Sequence, residues 1–342
     1  MKKNIYIYLL AAFALAGCQK EDTPAPSLAD NNWADNLNMN NPRVRECYEK
    51  YGFGLLTEFD EKTDMLSNLD SYWDEVRLTK LGEDEVAGAI AFFDETLLKY
   101  FTNAAFIKEC FPRRILLTRE VFFASSETNY LCPATTESDL RASALGNNVL
   151  HSMYSNIAFA FSIDMEKINT GDNRRGYELD NLYIFIAQLF ERNDLYGTLG
   201  ADFYLSEMAP YYSRDFMGVG DPDRGIPPGV WVEEGGSPTT RYASQYWYWN
   251  KGFVSTENLN WADPRYLEID LQTYSGVTYS FPSRIREVRT VINQMIYVTE
   301  EVYNSYPDIV KGRFAAMMEK FDAWGIDIRS VNPAMEAAFP RN

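Results

Sequence analysis

The residues able to carry chemistry are few, and their spacing serves no familiar catalyst. His151, in NNVLHSMY, is the only histidine of the 342-residue chain. A lone imidazole beside a strand reads as a hydrogen-bonded structural residue rather than a metal ligand or general base. With 49 acidic residues, adjacent pairs such as Asp74/Glu75 and Glu233/Glu234 arise by chance. A glycosidase would need two carboxylates about 5–10 Å apart across a cleft, which adjacency in sequence does not supply. No GxSxG elbow, Gly-Lys phosphate loop or CxxC metal spacing occurs. The densest group is aromatic: RYASQYWYWN carries Tyr242, Tyr246, Trp247, Tyr248 and Trp249. Exposed rings stack on sugars or anchor protein partners, whereas buried ones fold a loop back onto its body. Strict alternation in a strand buries Tyr246 and Tyr248 and exposes Trp247 and Trp249, or the reverse. Only one set is then free to meet a ligand or partner.

These residues need elements to position them. GYELDNLYIFIAQLFERND has Leu179, Leu182, Tyr183, Ile186, Leu189 and Phe190 at steps of three and four, one face of an amphipathic helix. DEVAGAIAFFDETLLKYF is a second, with Val86, Ile90, Phe93, Leu97 and Phe101 on one side. RRILLTREVFF, after the break at Pro112, reads as a strand rich in β-favouring residues. In SNIAFAFSID, Ile157, Phe159, Phe161 and Ile163 alternate with smaller residues, a second strand. From Pro210 to about Trp261 the text is dense in Gly, Pro and aromatics, a long irregular excursion of the kind that is disproportionately functional or disordered. PSRIREVRTVINQMIYVTEEVYNSY then predicts one long helix, with Ile285, Val288, Ile292, Met295 and Ile296 apolar and Pro307 at its end. DIVKGRFAAMMEKFDAW is the last helix, and Gly325 stands where a left-handed C-terminal residue is wanted. Helices and strands in this order imply an α+β arrangement rather than repeated βαβ units. The 46% hydrophobic content supports one large core, and no repeat divides the body.

The amino terminus reads as an address. Residues 1–17, MKKNIYIYLLAAFALAG, pair two lysines with an apolar run too short to span a bilayer comfortably, the layout of a secretory signal. The run ends in Leu15-Ala16-Gly17-Cys18, which resembles the bacterial lipobox. Cleavage before Cys18 would leave a cysteine carrying several acyl chains, a stable anchor where one chain is marginal. Residues 18–42 form a polar, Pro- and Asn-rich tether. Within it Lys20, Glu21 and Asp22 resemble the export tag that carries Bacteroidetes lipoproteins to the outer face of the outer membrane. Loss of the leader's two lysines takes the net charge from −17 to −19. So acidic a body will not track nucleic acid, whose binding rests on phosphate neutralisation. Cys47, Cys110 and Cys132 remain, an odd number that cannot all pair within the chain. An oxidising compartment allows a Cys110–Cys132 disulfide, but the irregular spacing favours free, buried thiols.

Several short pieces in order carry a wider resemblance: the lipobox, FDEKTDM, the FPRRILL strand, a strand followed by the central helix, KGFVS after a loop, MIYVTEEVY, and a last helix ending in WGIDI. Across most of residues 50–330 the chain resembles the substrate-import-associated zinc metallohydrolase lipoproteins of Bacteroidetes, zincin-like metallopeptidases encoded beside SusC/SusD-type importers. The resemblance implies a gluzincin-type α+β domain over residues 43–342, with the insertion at about 210–262. In that family the central helix carries HExxH, two histidines one turn apart on zinc and a glutamate handling the proton of the bound water. Here the matching stretch is IAQLFERND. It sets Ala187, Gln188 and Glu191 at the positions of the first histidine, the glutamate and the second histidine. The third ligand should be a carboxylate on the later helix, where the sequence reads Ile292-Asn293-Gln294, while Glu300 and Glu301 look solvent-facing.

The expectation is therefore a pseudoenzyme that binds no metal and uses no cofactor. It would be an outer-membrane, surface-exposed lipoprotein acting as an accessory subunit of a SusC/SusD-type TonB-dependent nutrient importer, with Tyr246, Trp247, Tyr248 and Trp249 as the binding residues for a partner or for a peptide or glycan. A free-standing glycan- or peptide-binding surface lipoprotein is the alternative, and an unrecognised hydrolase the third reading.

Overall fold

In a computed structural model, the described residues are 33–65, 76–123, 130–131, 153–154, 158–163, 173–209, 212, 249, 251–254, 270–274, 277–281 and 284–341. The leader, Cys18, Lys20, Glu21, Asp22, Cys132, His151, Tyr246, Trp247 and Tyr248 lie outside them. So do Asp74, Glu75, Glu233 and Glu234.

Helix and strand are mixed, as an α+β fold requires. The sheet is built around β3 (Arg114–Phe123), a ten-residue strand where the β-rich run predicts one. Its neighbours are β1 (Gly54–Leu56) and β6 (Ala158–Ser162), both parallel to it. Antiparallel to it run β2 (Val76–Lys80) and β4 (Tyr130–Leu131), and β5 (Met153–Tyr154) is antiparallel to β6. β6 is buried along its whole length. That is the signature of a strand covered on both faces, so the alternation expected from its large and small residues reports shape rather than exposure.

Helices pack against this sheet. α1 (Pro42–Glu46) is capped by Asn41, whose side chain accepts from the Arg43 and Val44 amides. α2 (Val86–Thr96) carries the expected buried Ile90 and Phe93. α3 (Ala104–Cys110), not foreseen in the sequence, starts at Asn103, whose Oδ1 accepts from the Ala105 and Phe106 amides at 3.0 and 3.2 Å. The central helix α4 (Asn173–Arg192) follows β6 and lies back along it. Asn181 Nδ2 donates to Ser162 O, and Gln188 Nε2 to Ala158 O. Phe185 is the hinge of the core, meeting Phe101, Phe111 and Phe159 edge-to-face at 5.6, 4.7 and 4.9 Å between ring centres. A hairpin of β7 (Asp270–Tyr274) and β8 (Val277–Phe281) precedes the carboxy-terminal helices.

The predicted long helix is in fact two, α5 (Arg284–Tyr297) and α6 (Glu300–Ser305). Thr299 caps α6, its Oγ1 accepting from the Val302 amide. Asn332 Nδ2 donates to Met295 O and Val298 O, satisfying the end of α5. Ile285, expected on the apolar side, is 43% exposed because it falls in the first turn of α5, before the helix enters the core. Glu300 and Glu301 are exposed as expected. α7 (Asp308–Trp324) ends at Gly325 with φ +72°, the anticipated left-handed stop. A Cβ at Gly325 would stand 2.6 Å from Asn103 Cβ, so the position demands glycine twice over. α8 (Pro333–Ala338) closes the chain's folded body.

One further expectation needs correction. The tether does not reach residue 42: Trp33–Asn36 is helical, Leu37 is buried, and the Arg114 guanidinium stands 5.2 Å from the centre of the Trp33 ring. Apolar Trp33 and Leu37 drew this part of a polar stretch onto the body. Cys110 and Cys47 are free, as expected of them, and Cys132 lies outside the described residues. Both thiols are buried, and burial pushes Cys47 up to about 12 and raises Cys110.

Candidate functional site

The site to be tested lies where α4 meets α5. Ala187 is buried and offers no donor atom to a metal. Gln188 is fully buried; its Nε2 donates to Ala158 O at 3.4 Å, and its Oε1 accepts no hydrogen bond among the described residues. Glu191, one turn on, has a side chain 48% exposed, and its Oε2 accepts from Arg289 Nη2 at 3.1 Å and from Tyr196 OH at 3.2 Å. Arg289 Nε also donates to the Tyr196 hydroxyl oxygen at 3.1 Å, closing a triangle over the carboxylate. Burial pulls the Arg289 guanidinium down to about 10 even with Glu191 beside it.

On α5, Ile292, Asn293 and Gln294 are all buried, and Gln294 Oε1 accepts from Tyr306 OH at 2.9 Å. No carboxylate stands in this stretch. The three α4 positions and the three on α5 are thus brought to one pair of packed helices, and they do not fit zinc: one has no ligating atom, one is tied to the sheet and one to an arginine. Among the described residues no group of three or more His, Cys, Asp or Glu side chains could hold a metal ion.

Trp249 requires a correction. Expected as a contact residue, it is 5% exposed and packs edge-to-face on Tyr306 at 5.1 Å. A large apolar ring next to a buried tyrosine gains more from the core than from solvent, so Trp249 anchors the returning end of the insertion rather than meeting a partner. Phe253 and Val254 are buried beside it.

The residues missed by sequence reasoning sit at the two ends of that insertion. Arg313 on α7 is fully buried. Its Nη1 donates to Glu287 Oε2 at 2.8 Å and Gly252 O at 2.7 Å, and its Nε donates to Phe203 O at 3.0 Å. One guanidinium therefore clasps the chain before the insertion, the insertion's returning end, and α5. Nothing in KGRFAA distinguishes this arginine from an exposed helix cation; its partners are 61 and 110 residues away for the two carbonyls.

No protein family, no curated protein and no solved structure matches the chain in comparison with known proteins.

Proposed function

We propose that the chain is a pseudo-metallopeptidase of zincin-like, gluzincin-type fold: a non-catalytic, lipid-anchored protein of the outer cell surface that serves as accessory subunit to a SusC/SusD-type nutrient importer. The observation that carries the reading is the state of the three α4 positions. Where the resemblance implies zinc chemistry, Ala187 fills core space, Gln188 is bonded to β6, and Glu191 is held by Arg289 and Tyr196. A helix laid along a buried parallel strand, with a second helix packed on it, also suits the proposed scaffold. The importer partnership and the anchor at Cys18 rest on the sequence resemblance, with Lys20, Glu21 and Asp22 as the export signal.

Metal content tests the first half. Protein purified without added metal is expected to hold well under one zinc per chain, and a chelator should leave its melting temperature unchanged. Stoichiometric zinc accompanied by peptidase activity overturns the reading in favour of a hydrolase. Recovery from detergent-solubilised membranes tests the second half. The tagged full-length protein should bring down a SusC/SusD-type pair, and Trp247→Ala should weaken that recovery; an interface tryptophan typically contributes about 2 kcal/mol or more. Trp247 is the proper probe because Trp249 is a core residue, whose loss would act through folding. Recovery of no importer by the wild type leaves the free-standing glycan- or peptide-binding lipoprotein in its place.

A further inference from the structure

Arg284 opens α5 and is exposed, yet its guanidinium is held in place. Its Cζ stands 5.1 Å from the centre of the Tyr204 ring and 5.8 Å from that of Tyr212. Attraction between a planar cation and two ring faces fixes such a group without using its N–H donors. Among the described residues no hydrogen bond or ion pair engages those donors. The rings are themselves supported: Tyr204 meets Phe203 edge-to-face at 5.2 Å, and Tyr212 meets Phe253 at 5.7 Å. Both tyrosines are half-buried, so part of each ring reaches solvent, while their hydroxyls donate inward to Tyr196 O and Met208 Sδ.

A second cation lies behind this platform. The Arg313 guanidinium stands 4.3 Å from the centre of the Phe203 ring, and although fully buried its Nη2 has no hydrogen-bond partner among the described residues. Burial raises the Tyr204 and Tyr212 hydroxyls, and the charges of both Arg284 and Arg313 oppose that rise. Glu287, paired with Arg313, cancels one of the two charges. The positive end of the fourteen-residue α5 adds to the remainder. In a chain of net charge −17, this arginine is held in place while its donors stay unengaged among the described residues.

We propose that Arg284 with Tyr204 and Tyr212 forms a binding site for a carboxylate borne on a ring or apolar side chain: the carboxylate takes the open fork of Arg284, and the apolar part lies along the exposed parts of the two tyrosine rings. Arginine matches a carboxylate with two parallel N–H···O bonds, which a lysine cannot. An acidic sugar and a peptide carboxy terminus present this same chemistry. The inference does not depend on the importer reading, since either a subunit or a free-standing binder could use such a site.

Calorimetric titration of the full-length protein in detergent at low salt tests it, with galacturonate and N-acetylphenylalanine as probes and their methyl esters as neutral controls. At least one acid should bind in the millimolar range or tighter, and the identity of that acid names the source. Its ester should bind about tenfold more weakly or worse, and Arg284→Gln and Arg284→Lys should each lose about tenfold in affinity. Both variants should keep a melting temperature within a few degrees of wild type, because Arg284 is exposed and makes no hydrogen bond or ion pair among the described residues. Absence of binding by either acid overturns the proposal, as does equal binding of acid and ester or unchanged affinity in both Arg284 variants.

Discussion

Arg313→Met is expected to remove about 3–5 kcal/mol of folding stability, measured by urea unfolding followed by circular dichroism. The arginine is fully buried and supplies three directed bonds: to Glu287 Oε2, to Gly252 O and to Phe203 O. Methionine fills much of its volume but leaves a buried carboxylate uncompensated and two carbonyls without their donor. Each orphaned carbonyl costs roughly 1–3 kcal/mol. The double variant Arg313→Met, Glu287→Met should recover a large part of the loss, because removing both charges removes the desolvation penalty with the attraction.

The pH dependence has a definite sign. Burial pushes Glu287 above the ordinary carboxylate range, and Arg313 is the main group opposing that rise. Without Arg313 the folded state keeps a proton that the unfolded chain releases near its ordinary value of 4.5. Stability of the single variant is then fully present below that value and falls as pH rises through the raised folded value. Its deficit should be larger at pH 8 than at pH 5, while the double variant shows no such trend. A single variant within about 1 kcal/mol of wild type at both pH values would show that the clasp contributes little beyond packing.

Phe185→Ala should cost about 3–5 kcal/mol, the range for emptying a buried aromatic site. Its ring is fully buried and sits at the meeting point of α4, β6 and the segments bearing Phe101 and Phe111. Close-packed neighbours from separate elements cannot all collapse into the space, so the cavity persists. Phe185→Leu retains most of the volume and should lose less than half as much. Equal losses for the two variants would mean that ring geometry, rather than filled volume, is what holds the central helix. Because Phe185 lies one turn before Gln188, the pair of variants also measures how firmly the core fixes the helix that carries Ala187, Gln188 and Glu191.

What was legible in the sequence is what local geometry encodes. The faces of α2 and α4, the strand β3 and the stop at Gly325 all follow from periodicity or from the conformational range of one residue, and neighbours within a few positions decide them. That Ala187 can hold no metal is likewise a matter of composition: an alanine has no ligand atom in any fold. Tertiary structure decided the rest through partners distant in sequence. Asn332 ends α5 by reaching Met295 O and Val298 O, 37 and 34 residues away; within VINQMIYVTEEVY only Thr299 before Glu300 and Glu301 marks the break, as the start of α6. Trp249 is turned from a surface candidate into a core anchor by Tyr306. Arg284 and Arg313 look like ordinary helix cations until the Tyr204 and Tyr212 rings and the Phe203 and Gly252 carbonyls are brought to them. Periodicity records which side of an element avoids water. It does not record which distant group arrives on that side, and in this chain those arrivals decide both the clasp at Arg313 and the open arginine at Arg284.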